Sequence, residues 1–459
     1  MGRTSLLMVI AFNVIFMALG FRMSSITSSA YNKYINYNCL EQTGLAAESG
    51  ANIAISNAFF SPATPISTTP FSSGTGVAGT IQLTKTSVPS NPGGTDTAGF
   101  DITAIAKDID DTVITKIRVQ GTSFSTYVMF TTSEGGINWT TGDTCYGNYH
   151  TQDWIYVNGN PDFKGLTTTF LGLKKNQSSN TPNFEGGYTS GVNIPLSGDF
   201  TNLNYLGSAG SGGTSYPNNI NVYIEFMPSG AVTVRTTLVG SATDGWSQSG
   251  TGNTYGSGST AIKACSTYAS IGALTSSGVL LATGGDLHVK GVLNGQITLG
   301  NTGTGDVYID SSITYLHPAP TAKNPSLVST DLLAIVANND IHVADDADNN
   351  QVIGGVPKGV EIDASMYSLN GGFGADNYSN RSISGTNHYS GMLKVVGGIQ
   401  QKARNPVGAS GGSPVLGFLK DYEYNYNLQT VTPKGYPTTV FAIKWWTDST
   451  LVHNSFWNE

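Results

Sequence analysis

Leu6-Leu-Met-Val-Ile-Ala-Phe-Asn-Val-Ile-Phe-Met-Ala-Leu19 holds a single polar residue, Asn13, and is fenced by Arg3 and Arg22. No proline follows until Pro62. The pattern predicts an uninterrupted helix of about 55 residues, ~80 Å long at the usual rise. Compact domains ordinarily hold much shorter helices. The stretch between the two arginines would span roughly 27 Å, just short of the ~30 Å hydrocarbon core of a bilayer. Both arginines can make up the difference by extending their side chains to the interface. Burying the run is worth on the order of 20 kcal/mol, so it is not built to stay in water. A cleaved signal peptide gives a similar run. Arg3 is the only basic residue ahead of it, however, and helical character continues past Arg22; both favour an anchor. The expected membrane or assembly surface is Leu6, Leu7, Val9, Ile10, Phe12, Asn13, Val14, Ile15, Phe16, Leu19, Gly20 and Phe21.

Beyond Arg22 the pattern turns amphipathic. Ala30, Tyr37, Gly44, Ala51 and Ala58 recur at heptad spacing, and Leu40, Ala47 and Ala54 follow three of them at the next turn. Such a seam of mostly small residues lets another backbone come close. It serves equally for packing on the chain's own domain or on neighbouring helices.

A chain-initial helix of this kind, with Leu45-Ala-Ala-Glu-Ser-Gly-Ala-Asn-Ile-Ala54 in its second half, resembles the N-terminal helix of type IV pilins, particularly minor pilins and pseudopilins. The resemblance implies an apolar half that sits in the inner membrane before assembly and then forms the core of a homopolymeric filament. It departs from the family pattern at Ser5, where a glutamate is usual if Met1 is the mature start, and in lacking a basic leader ending in glycine. The expectation is therefore a chain already processed or permanently anchored. Gly142-Asp-Thr-Cys-Tyr-Gly-Asn-Tyr-His150 and Asp331-Leu-Leu-Ala-Ile-Val-Ala-Asn338 resemble β-helical ectodomains that follow such helices in bacterial surface proteins.

Composition agrees with an exported structural protein. Charged residues are 11% of the chain, against roughly 25% in ordinary domains. The net charge of −8 speaks against a nucleic-acid partner, because phosphate binding needs a basic surface. Cys39, Cys145 and Cys265 are too few for a disulfide framework; Cys145 and Cys265 are the candidate pair in an oxidising compartment.

These readings predict a mainly β protein with one long N-terminal α-helix. The helix takes 1–60, apolar over 4–21 and amphipathic over 22–60. A linker and antiparallel sheet over 61–138 lies on its amphipathic half. Short strands with Gly, Asn and Asp corners over 139–401 suit a parallel β-helix, interrupted by loops over about 176–260. A β-sandwich gives similar local signals, and the dense Gly/Asn punctuation favours the β-helix. An aromatic-rich segment over 402–459 ends in a closing strand around Thr439–Trp446, which returns to the head sheet or caps the open end of the β-helix.

Chemistry is sparse. The six histidines show no pair at metal-ligand spacing, and no nucleophile elbow or phosphate loop is present. Asp346-Ala-Asp-Asn-Asn350 begins like a calcium loop but has Gln351 where glycine is required. Asp108, Asp110 and Asp111, or Asp345, Asp346 and Asp348, could supply carboxylates to a glycan-cleaving site, although turn formation explains them. The reading is thus of no catalytic, cofactor or metal site. The protein is expected to be a structural subunit of a cell-surface filament. The alternatives are a monomeric membrane-anchored adhesin or carbohydrate-binding protein, contacting a glycan or cell, and then a β-helix carbohydrate-active enzyme.

Overall fold

The computed structural model describes residues 2–60, 69–72, 78–88, 96–107, 112–198, 200–249, 254–255, 262–381, 383, 388–409, 416–439 and 442–449. The chain is mainly β, with one long N-terminal helix, Gly2–Phe60. It divides into two compact units: 1–89 with 98–120 and 441–459, and 90–97 with 121–440.

In the first unit, strands Thr69–Ser72, Ala78–Val88, Asp96–Lys107, Thr112–Thr122 and Ala442–Ser449 form an antiparallel sheet in that order. Of the two destinations open to the closing strand, it takes the head sheet. Thr43, Ala46, Ala47, Gly50, Ala51 and Ala54 are the buried helix residues, spaced at three and four as one helical face requires. They meet Ile81, Leu83, Ile102, Ala104, Ala106, Ile117 and Val119 from alternate positions of three strands. Small residues on the helix and on Asp96–Lys107 bring the two backbones close.

Gly50 sets that approach. A Cβ placed on it would lie 2.5 Å from Ile81 Cγ2 and 3.1 Å from Leu83 Cδ2, whereas one on Gly44 would meet nothing within 4 Å. Within a single chain, the close contact expected at Gly44 is therefore made by Gly50. Gly50→Ala should cost about 1–3 kcal/mol through overpacking. Gly44→Ala should instead gain up to about 1 kcal/mol from helix propensity. Thermal melts of the two variants, expected to move in opposite directions, check the assignment.

The second unit is a stack of parallel strands whose spatial order differs from its chain order. One column runs Thr214–Tyr216, Val279–Ala282, Gln296–Asn301, Leu332–Ala337, Val360–Ser368 and Tyr389–Ala403. It then continues with Met129–Ser133, Tyr149–Thr151, Thr167–Thr169 and Tyr188–Ser190. A second column passes from Leu287–Leu293 and Val307–Tyr315 through Leu416–Glu423 to Thr144–Tyr146, Asp162–Phe163 and Asn183–Phe184. The third holds Ile220–Phe226, Leu287–Leu293, Val307–Tyr315, Ile341–Val343 and Phe373–Ala375.

The chain thus enters the stack in its middle, builds to one end, returns, and builds from the other end back to the middle. Its two ends meet there: Phe124 N–H donates to Pro437 O at 3.1 Å and Thr439 N–H to Thr122 O at 2.8 Å. The returning segment lays Ile194, Leu196, Phe200, Leu203 and Leu206 against Val279, Leu281, Ala334 and Val336. Leu332–Ala337 is buried on both faces for this reason, and its sequence is apolar throughout instead of alternating. At the far end of the third column, the antiparallel strands Ile220–Phe226, Val232–Leu238 and Cys265–Tyr268 continue the sheet.

Candidate functional site

Among the described residues, the longest run of exposed large apolar side chains is in the first part of the helix. Leu6, Leu7, Val9, Ile10, Phe12, Val14, Ile15, Phe16, Leu19 and Phe21 are 52–73% exposed. Asn13 and Gly20 are exposed among them, and nothing lies within 4 Å of where a Cβ on Gly20 would be. Gly2–Asn57 is long and apolar enough to cross a membrane, with a mean hydropathy of 2.2 in its most apolar window and none of that window buried. A surface of this size has no role in an isolated soluble chain.

The heptad set divides. Ala47, Ala51 and Ala54 are buried on the sheet, Leu40 and Gly44 are half-buried, and Ala30 and Tyr37 are exposed. Ala58 has its side chain outside the described residues. The candidate disulfide is absent: Cys145 and Cys265 are not joined to one another. Cys145 points into the core of the second unit, where burial pushes its thiol up to about 12. Cys265 sits on an antiparallel strand opposite Arg235.

Stacking of the strands gathers residues that look scattered in the sequence. Tyr223, His288, Tyr308 and His342 occupy one row, with successive ring centroids 4.2, 5.0 and 5.3 Å apart. Beside them an aspartate ladder closes the turns. The N–H groups of Asp306, Asp340 and Gly372 donate to the carboxylates of Asp286, Asp306 and Asp340 at 3.0, 3.2 and 2.7 Å. His342 Nδ1 lies 2.8 Å from Asp376 Oδ1. Burial disfavours its imidazolium, but the Asp376 hydrogen bond and the charges of Asp376, Asp306 and Asp340 outweigh this and hold His342 above its ordinary value. Asp306, Asp340 and His342 offer ligand atoms within 4.8 Å of one another, a grouping that could hold a metal ion. Only the strand register brings these three together; no spacing in the sequence marks them. Their hydrogen bonds across the turns already account for the two aspartates.

The other carboxylates flagged by the sequence serve turns. Asp345 accepts from Asn350 and Asn377 side chains at 2.6 and 3.0 Å, Asp346 accepts from Asn349 N–H at 2.9 Å, and Asp348 pairs with Lys290 at 3.0 Å. Asp108, Asp110 and Asp111 lie outside the described residues.

Asp363 is the carboxyl with the clearest energetic consequence. It is 5% exposed, accepts from Tyr315 N–H at 2.8 Å through Oδ2, and its Oδ1 has no partner. Burial first, then the neighbouring Glu361 charge, push it up to about 7 despite the hydrogen bond. The native chain therefore binds a proton that the unfolded chain has released above its ordinary value of 3.8. Stability contributed by Asp363 is full below that value and is lost as pH rises to about 7, on the order of 2–4 kcal/mol. Denaturant unfolding across this window should show the decline, and Asp363→Asn should flatten it.

No described protein family matches this sequence, and no curated protein is similar to it. Among solved structures, the chain is similar to the competence-associated pilin ComZ from Thermus thermophilus. The identity is 11% and the TM-score 0.33, over 90% of this chain and 98% of that one. A score at that level does not establish a common fold.

Proposed function

We propose that this chain is a structural subunit of an extracellular, pilus-like filament, held in the inner membrane before assembly by the apolar part of its helix. The observation that carries the reading is the abrupt change of role along one continuous helix. The face around Ala47, Ala51 and Ala54 is consumed by the chain's own sheet, while 6–21 remains uncovered. A helix core of neighbouring copies would bury that surface, as would lipid. The parallel columns of short strands, with aspartate and asparagine side chains bonding from turn to turn, support reading the second unit as a β-helix displayed outward from such a core. The sequence resemblance to minor pilins and pseudopilins leads to the same assembly.

Negative-stain microscopy of material sheared from cells, with mass spectrometry of its subunits, tests this. Filaments containing the chain are the expected result. A chain found solely as a membrane-bound monomer would replace the filament with the adhesin reading.

A further inference from the structure

Inside the second unit lies a cavity of about 210 Å³, lined by apolar and aromatic side chains that include Met129, Phe373, Val407 and Tyr422. Two cations also line it, Arg404 and Lys420. Interior-facing positions of a stacked β structure are normally apolar, and the half-buried Lys420 stands on that face. It alternates with Phe418 and Tyr422, both in the core, and stands opposite the fully buried Leu393. Among the described residues it has neither an ion pair nor a hydrogen bond.

Arg404 is 7% exposed. Its Nη1 donates to Glu134 Oε2 at 2.7 Å and its guanidinium lies 4.6 Å from the centre of the Trp139 ring, but Nη2 has no partner. Glu134 is the carboxylate bonded to Arg404, and Asp143 acts on Lys420 through its charge alone. Two polar side chains of the wall are partly engaged: Gln401 Oε1 accepts from Phe373 N–H, and Asn405 Nδ2 donates to Asp340. The guanidinium edge and the ammonium are donors left without a partner among the described residues. A half-buried charge without an ion pair is costly, and the unsatisfied buried donor on Arg404 adds to the cost. Burial and the Arg404 charge push the Lys420 amine down to about 8, with Asp143 and Glu134 opposing them.

We infer that this cavity binds a small organic carboxylate, its oxygens bridging Arg404 Nη2 and Lys420 Nζ and its body against Phe373 and Val407. The volume is below the about 300–1,000 Å³ of pockets for drug-sized ligands, so the occupant is of benzoate size or smaller. The inference is independent of filament assembly.

The test is calorimetric titration of the full chain in detergent with benzoate, acetate and phosphate. Saturable binding of benzoate or acetate is expected, weakened at least tenfold in Lys420→Met by loss of a charge-assisted bond. Without ligand, Lys420→Met should melt higher than the parent, because it removes an unpaired charge. A second measurement needs no variant: benzoate should protect Lys420 from amine acylation, read by mass spectrometry. Saturation by phosphate alone, equal binding by Lys420→Met, or unprotected Lys420 at saturating benzoate would each overturn the assignment.

Discussion

Glu134→Ala should destabilise the second unit by about 3–5 kcal/mol, the usual result of stranding a buried charge. Glu134 is fully buried and accepts from Arg404 Nη1 at 2.7 Å, from Tyr149 O–H at 2.8 Å and from Thr131 Oγ1. Its position gives the loss a structural meaning. Glu134 directly follows Met129–Ser133 and Arg404 directly follows Tyr389–Ala403, and these two strands pair in parallel. The pair therefore fastens the place where the last-built strands of the stack meet the first. Glu134→Gln keeps the shape and some acceptors but not the charge, and should cost less. The double change Glu134→Leu with Arg404→Met should recover much of the loss, since both charges then disappear together. Denaturant unfolding of the native chain, Glu134→Leu, Arg404→Met and the double change gives the coupling directly. A cost for Glu134→Ala below about 1 kcal/mol would mean that the Arg404 charge finds water in the cavity beside it.

The same junction shows where sequence reading stops. The long helix is legible because its apolar run and its three-and-four spacing are local patterns. Several strand positions are legible for the same reason: Ile220–Phe226 alternates, and Leu332–Ala337 is a short apolar run between turn residues. The order of the stack is not local. Nothing in 129–133 or 399–403 marks them as neighbours, and the intervals between paired strands vary too much to show as a repeat. The row of His288, Tyr308 and His342 inherits this invisibility, because it exists only through the register of three strands. The helix seam is legible only in part. Gly44 and Gly50 are equally small, and only the placement of Ile81 and Leu83 makes the second indispensable. Lys420 was legible in principle, as a lysine between Phe418 and Tyr422 in an alternating strand, but alternation cannot tell which face is inside.

Val9→Asp or Ile15→Asp should abolish filament assembly outright, because a carboxylate without a partner in an apolar helix core must either stay charged at heavy cost or take up a proton. Both compact units should remain folded, since Val9 and Ile15 are 58% and 54% exposed in the single chain. That much would follow from lipid anchoring too, so the order of residues must be tested separately. An anchor needs only greasiness, and a scrambled Leu6–Phe21 of the same composition would serve it as well as the native one. A filament needs side chains of one helix to fit those of the next. Asn13 is the sharpest probe: a lone amide in such a run is costly unless paired across helices, where it sets register. Asn13→Leu should therefore keep the chain in the membrane while filaments become few or irregular. Gly20→Ala, which stiffens the helix where the apolar part ends, should slow assembly without changing membrane content. Fractionation and electron microscopy read the two properties side by side. Normal filaments from the scrambled helix would show that packing specificity plays no part. If filaments never form from the native sequence, the uncovered surface belongs to lipid alone.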